Sequence, residues 1–278
     1  ETDGSTEVDE SGSTDIFTIV LDAQPTNDVV VLATASNDET EATVSGSITF
    51  TSENWDTPQT VTVTGVDDDL VDGDQTYDIT ISIVDTISDD EFDGVADQSV
   101  SSTTLDDDAP GFTIEETDAA TEVDESGSTD IFTVVLDAQP TSDVVLTITS
   151  DDTGEATVPA SVTFTPVNWD TPQTVTVTGV DDDLVDGTIT STITIAVDDA
   201  NSDDGFDGLD DQTVSVDTLD DDVAGFTIEE TDAATEVDES GSTDIFTVVL
   251  DAEPTSDVVL TITSDDTGEA TVPASVTF

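Results

Sequence analysis

The sequence contains no lysine, arginine, histidine, cysteine or methionine. Without thiolates or imidazoles, the usual protein sites for zinc, copper, haem and iron–sulfur clusters are excluded. A Ser–His–Asp or Cys–His nucleophile and a lysine Schiff base are excluded with them. Phosphoryl transfer, which leans on Lys or Arg, is disfavoured. No disulfide and no side-chain salt bridge can form. Against these absences, 69 of the 278 residues are Asp or Glu, for a formal net charge of -69. Such a surface repels nucleic acid and anionic lipid, so neither is expected as a partner. No apolar run is long enough to span a bilayer, so no membrane insertion is expected in this segment. What remains is carboxylate chemistry, either binding of hard cations or a pair of acids acting on a sugar.

Acidity of this kind often accompanies disorder, but the hydrophobic residues here are largely β-branched and alternate with Thr and Ser, the period of half-buried strands. The dominant feature is an internal repeat. TEVDESGSTDIFT begins at Thr6, Thr121 and Thr235, and SITF or SVTF ends at Phe50, Phe164 and Phe278. The period, about 114 residues, is that of a small domain rather than of a solenoid turn. The expected division is 1–108 (repeat 1, without its first strand), 109–222 (repeat 2, complete) and 223–278 (the N-terminal half of repeat 3). Glu1 aligns with Glu116, and repeat 1 carries one extra residue between Val29 and Glu39. The sequence thus reads as a window cut from a longer tandem array.

Within repeat 2 the alternation predicts seven strands: A from Phe112, B over 130–136, C over 144–149, D over 155–165 with a break at Pro159, E over 173–180, F over 189–197 and G over 212–219. No segment has helical periodicity. The fold class expected is all-β, a tandem of seven-stranded immunoglobulin-like β-sandwiches. If consecutive strands run antiparallel, alternate loops share an end. The A–B loop (Asp124, Glu125), the C–D loop (Asp151 to Glu155), the E–F loop (Asp181 to Gly187) and the end of G (Asp220 to Asp222) then meet at one pole. So many like charges repel unless a cation sits among them. Calcium, which takes 6–8 oxygen ligands in flexible geometry, suits such a cluster better than magnesium.

At these residues each unit resembles the Calx-beta domain, first described in sodium–calcium exchangers and common in bacterial surface proteins. VDESGS at Val123 is similar to the family's opening motif, SVTFTPVNWDTPQTVTVTGVDDD at Ser161 to its strand pair ending in an acidic run, and TLDDD at Thr218 to its closing acids. The resemblance implies a seven-stranded sandwich with calcium at one pole. Carried over by motif, it implies ligands at Glu10, Asp67, Asp68, Asp69, Asp72, Asp74, Asp106, Asp107 and Asp108 in repeat 1. In repeat 2 they are Glu125, Asp181, Asp182, Asp183, Asp186, Asp220, Asp221 and Asp222, with Asp152 a candidate because its region departs from the family pattern. Glu239 is the counterpart in repeat 3. Thr188 stands where repeat 1 has Asp74, which implies fewer ions in repeat 2.

The linkers, Asp108 to Phe112 and Asp222 to Phe226, are short, so the charged pole of one unit abuts the next. The function expected is a structural repeat module of an extracellular surface adhesin stalk or filament. Calcium at the junctions cross-links neighbouring repeats, and other copies of the chain are further partners in a filament. Extracellular calcium, about millimolar, suits weak modules of this kind. Two alternatives stand beside it: a calcium-dependent binding or sensing module for a sugar or protein, and a halophilic surface protein without specific metal sites. An enzyme is not expected, since the chain has only 2 Trp and 1 Tyr, with Trp55 and Trp169 at matching repeat positions.

Overall fold

The computed structural model describes residues 4–36, 40–118, 120–231 and 233–278. The match of Glu1 to Glu116, and the end of the stretch with the extra residue (37–39), lie outside the described residues. The first part of the chain forms β1 (Thr6–Asp9), β2 (Thr14–Ile19), β3 (Val29–Ala35), β4 (Ala42–Val44), β5 (Ile48–Phe50), β6 (Gln59–Gly65), β7 (Gln75–Ile83) and β8 (Gln98–Leu105). Its sheets run β1-β8-β7-β3-β5 and β2-β6-β4. There follow β9 (Phe112–Glu116), β10 (Thr121–Asp124), β11 (Thr129–Leu136), β12 (Val144–Ser150), β13 (Ala156–Thr157), β14 (Ser161–Phe164), β15 (Gln173–Gly179), β16 (Ile189–Val197) and β17 (Gln212–Leu219). These make the sheets β10-β17-β16-β12-β14 and β13-β15-β11-β9. The architecture is all-β.

The strands form where β-branched residues alternate with hydroxyls, because successive side chains point to opposite faces. In β15, Val175 and Val177 are buried while Thr174 and Thr176 face outward. Phe132, Val175 and Val177 from one sheet share a core with Leu146, Ile148, Ile193, Ile195 and Val214 from the other, packing compatible with a β-sandwich. Each such side chain contributes about 1.5–3 kcal/mol.

The seven expected strands of 109–222 appear as nine segments, because two are divided between the sheets. The D region breaks at Pro159, which has no N–H to give a ladder; β13 pairs with β15 and β14 with β12. The A region also divides. β9 runs antiparallel to β11, whereas β10 runs parallel to β17. Sequence reading ends strand A before Asp124 and treats that residue as loop. Thr121 and Val123 point into the core, however, and this two-residue period makes 121–124 a strand.

Absence of helical periodicity holds for long helices only. Single 3-10 turns lie at Asp85–Ile87, Asp90–Phe92 and Asp204–Phe206, and no helix is long and apolar enough to cross a membrane. The last turn is organised by Asp203, which is buried. Its carboxylate accepts from Thr141 Oγ1 (2.6 Å), the Ser142 N–H (2.7 Å) and the Gly205 N–H (2.9 Å). Burial opposes ionisation here, yet these donors hold the carboxyl below its usual range. Replacing Asp203 by Ala orphans buried donors and frees the loop from 141–142. Thermal unfolding should then show a loss of about 3 kcal/mol; an unchanged melting temperature would show that the contacts are incidental.

Gly179 fixes where β10 ends. A Cβ there would lie 2.0 Å from the Asp124 carbonyl oxygen, and Gly65 stands in the same relation to Asp9, at 1.9 Å. Only glycine lets the end of β15 approach so closely, and the approach brings the next residue, Glu125, beside the acidic run that follows β15. Gly179→Ala must push the two strands apart. It should cost about 1–3 kcal/mol and weaken any ligand binding at that pole, readable in one thermal melt and one titration.

Residues 223–278 contain β18 (Phe226–Glu230) paired with β19 (Phe246–Leu250), and β20 (Val259–Thr261) paired with β21 (Ser275–Thr277). Phe226 is 51% exposed where its counterpart Phe112 is 4% exposed. Among the described residues β19 pairs with β18 alone, whereas β11 pairs with β15 as well as β9.

Candidate metal centres

Glu125 follows β10 directly, and its N–H donates to the Leu219 carbonyl at the end of β17 (3.1 Å). This pins the residue between two strands and turns its side chain inward. It is 0% exposed, and neither carboxylate oxygen has a hydrogen-bond partner of ordinary geometry, although the Asp221 N–H is close enough to favour its ionised form. Around it stand acids from three other segments. Asp182, just after β15, accepts from the Leu184 N–H (2.7 Å). Asp220, just after β17, accepts from the N–H groups of Gly187 (2.7 Å) and Asp222 (2.8 Å). Glu155, ahead of β13, is buried and leaves Oε2 unpartnered. One carboxylate oxygen from each of Glu125, Asp182 and Asp222 lies within 4.8 Å of the others.

The arrangement recurs in the first part of the chain. Glu10 is 1% exposed with Oε2 unpartnered, its N–H donates to Leu105 (3.2 Å), and Glu10, Asp68 and Asp108 converge within the same 4.8 Å. Asp106 accepts from the Gly73 N–H (2.6 Å) and the Asp108 N–H (2.8 Å). Gly73 and Gly187 adopt φ of +73° and +78°, a left-handed turn that aims their N–H groups at the closing acids.

Crowding of like charge in a desolvated pocket appears in the protonation equilibria. Burial, then the charges of Asp68 and Asp106, push Glu10 up to about 7. Burial, then Asp182 and Asp220, push Glu125 up to about 7. Burial likewise raises Glu41, Asp72, Asp108, Glu155 and Asp222. Asp220 is lowered, because backbone N–H groups of Gly187 and Asp222 donate to it.

The other expected ligands group around these centres to different degrees. Asp69 and Asp107 act on the charge of Asp108, and Asp181, Asp183 and Asp221 on that of Asp222. Asp72 acts on Glu10 and Asp186 on Glu155. Asp74 accepts from the Asp106 N–H (3.3 Å). Asp67 is exposed. Asp152 stands near Glu155 but also caps its own turn, accepting from the Gly154 N–H (2.9 Å). Glu239, unlike Glu10 and Glu125, is exposed, since no described strands enclose it. Sequence reasoning passed over Glu41 and Glu155 as ligands. Their signal is the recurrence of Glu-Ala-Thr-Val at Glu41, Glu155 and Glu269, an acid fixed beside a buried alanine.

A buried carboxylate with few donors must either hold a proton or meet a counter-charge, and this chain has no cationic side chain to give the charge. Oxygens around one calcium at about 2.4 Å stand at most about 4.8 Å apart. The two convergent triads, with further acids beside them, are therefore compatible with Ca2+.

No protein-family model matches the chain, and no curated protein matches it. Among solved structures, it is similar to the calcium-binding domain CBD12 of CALX1.1, at 15% identity over 69% of this chain and 77% of that one, with a TM-score of 0.29. It is similar to domains 4 and 5 of the S-layer protein SbsC at 19% identity, covering 68% and 76%, with a TM-score of 0.31. Against SbsC domains 1–6 the identity is 18%, covering 83% of this chain and 25% of that one, with a TM-score of 0.34.

Proposed function

We propose that the chain is a structural repeat module of an extracellular surface stalk or filament, stiffened by calcium where one repeat meets the next. In this reading the repeats are 1–108, 109–222 and 223–278. Each complete one is a seven-stranded immunoglobulin-like sandwich of the Calx-beta type, and neighbouring repeats are the principal partners. The observation that carries the reading is Glu125, with its counterpart Glu10: an enclosed carboxylate with unpartnered oxygen, amid other acids, in a chain with no base. Calcium would be held by Glu10, Asp68 and Asp108 in the first repeat and by Glu125, Asp182 and Asp222 in the second. Glu41, Asp72 and Asp106, or Glu155, Asp186 and Asp220, complete the oxygen shells. When bound, the ion supplies the positive charge the chain lacks.

The acids that stay exposed keep neighbouring chains apart and soluble. Length and stiffness are then the function, and no reaction is required. Small-angle scattering of the chain in calcium and in chelator tests this: the maximum dimension and apparent rigidity should fall when calcium is removed. Identical scattering in both conditions would overturn the reading.

A further inference from the structure

The loop between β6 and β7 has two working sides. Asp68 and Asp72 belong to the acidic cluster around Glu10. The residues between them face the next repeat. The Asp69 carbonyl accepts the Gln139 N–H (2.6 Å) and the Val71 N–H donates to the Gln139 carbonyl (2.9 Å), a short parallel bridge centred on Leu70. The Val71 side chain packs against the core of 109–222, a cluster that includes Phe206 and Leu209. A Cβ on Gly205 would come within 3.3 Å of Val71 Cγ1, so the glycine keeps the seat open. The next joint repeats the pattern. Glu253 N–H donates to the Asp183 carbonyl (2.5 Å), Val185 N–H to the Glu253 carbonyl (3.3 Å), and Val185 lines a cavity with Phe226, Leu250 and Pro254.

All three carboxylates of the first triad lie within 1–108, and the contacts that 109–222 makes with the loop at Gln139 and the core are backbone and apolar surface. We propose that each joint is closed by a valine knob, Val71 or Val185, and that the cation acts on it at one remove. It holds the carboxylates of Asp68 and Asp72 together, and so presents the knob between them. This takes the place of the direct calcium cross-link expected from the sequence, and it rests on the calcium reading above. Without the ion, mutual repulsion of the acids spreads the loop and withdraws the valine from its seat.

The chain's lack of cysteine permits a direct test. Ser101→Cys and Ser215→Cys, both at exposed strand positions, carry a pair of probes across the first joint in the full chain. Their distance distribution is measured by pulsed electron resonance, and calcium binding by calorimetry, with Val71 intact, with Val71→Ser and with the milder Val71→Ala. With Val71 intact, calcium should narrow the distribution. In Val71→Ser it should bind within about threefold of the same affinity, yet leave the distribution as broad as in chelator, with Val71→Ala between. If both proteins narrow equally, the knob is overturned and the calcium reading stands. If calcium binding is lost with Val71→Ser and Val71→Ala, the valine belongs to the metal centre and the proposal is again overturned. If the protein with Val71 intact fails to narrow, the calcium reading itself falls and takes the proposal with it.

Discussion

Calcium added to the chelated chain at pH 7.5 should raise its melting temperature by about 10 °C or more. A ligand that binds only the folded state stabilises by RT ln(1 + [L]/Kd), about 2.7 kcal/mol at a hundredfold excess over Kd. In a unit of about a hundred residues each kcal/mol moves the transition by about 4–8 °C. Two centres in two repeats make the gain local as well as large. Asp182→Asn should abolish the shift for 109–222 while 1–108 keeps its own, so one calcium-sensitive transition divides into two. Sodium chloride at matched ionic strength is the decisive control. Monovalent salt screens exposed charge but cannot stand in for an ion among enclosed oxygens. Full recovery in sodium chloride would make the acids a diffusely screened surface and remove the metal centres.

Much of this was legible in the sequence, for definite reasons. Strands such as β15 and β16 were readable to within a residue because Val and Thr, or Ile and Thr, alternate along most of their length, and period two reports a half-buried strand. The gathering of Glu125, Asp182 and Asp220 to one end followed from counting strand reversals. The division of strand A was hidden, because four residues from Thr121 carry too few alternations to declare a new strand, and parallel pairing with β17 is a long-range event. Glu155 was hidden beside Asp152, since a carboxylate's exposure depends on which way the chain enters β13. Val71 and Val185 were the least visible. A single Leu-Val pair among aspartates has no period, and the surface that Val71 packs against is formed by residues far along the chain.

The largest effect of pH should run against the usual behaviour of carboxylates. Glu10 and Glu125 rise from 4.5 unfolded to about 7 folded, chiefly through burial. A group whose folded value is raised stabilises the fold below its unfolded value, and that stability is lost as pH rises through the folded value. In chelator the chain should therefore become less stable from pH 4.5 to 7, by on the order of 3 kcal/mol per centre, less whatever water at the acidic pole screens. Glu41, Asp72 and Asp108 are shifted the same way. Asp89, held down to about 2 by N–H donors from Asn27 and the hydroxyl of Thr26, loses its contribution only as pH falls below its unfolded value of 3.8, outside this window. In saturating calcium the slope should reverse, because the ion binds the ionised form and no longer competes with protons above pH 7. Glu10→Gln with Glu125→Gln separates the two effects. A neutral amide of the same size removes the buried charge, so in chelator at pH 8 the double variant should melt above the unaltered chain, while calcium should scarcely move it. A lower melting point for the variant in chelator would mean that the fold itself uses these carboxylates in ionised form, and the case for an external cation at either centre would fail.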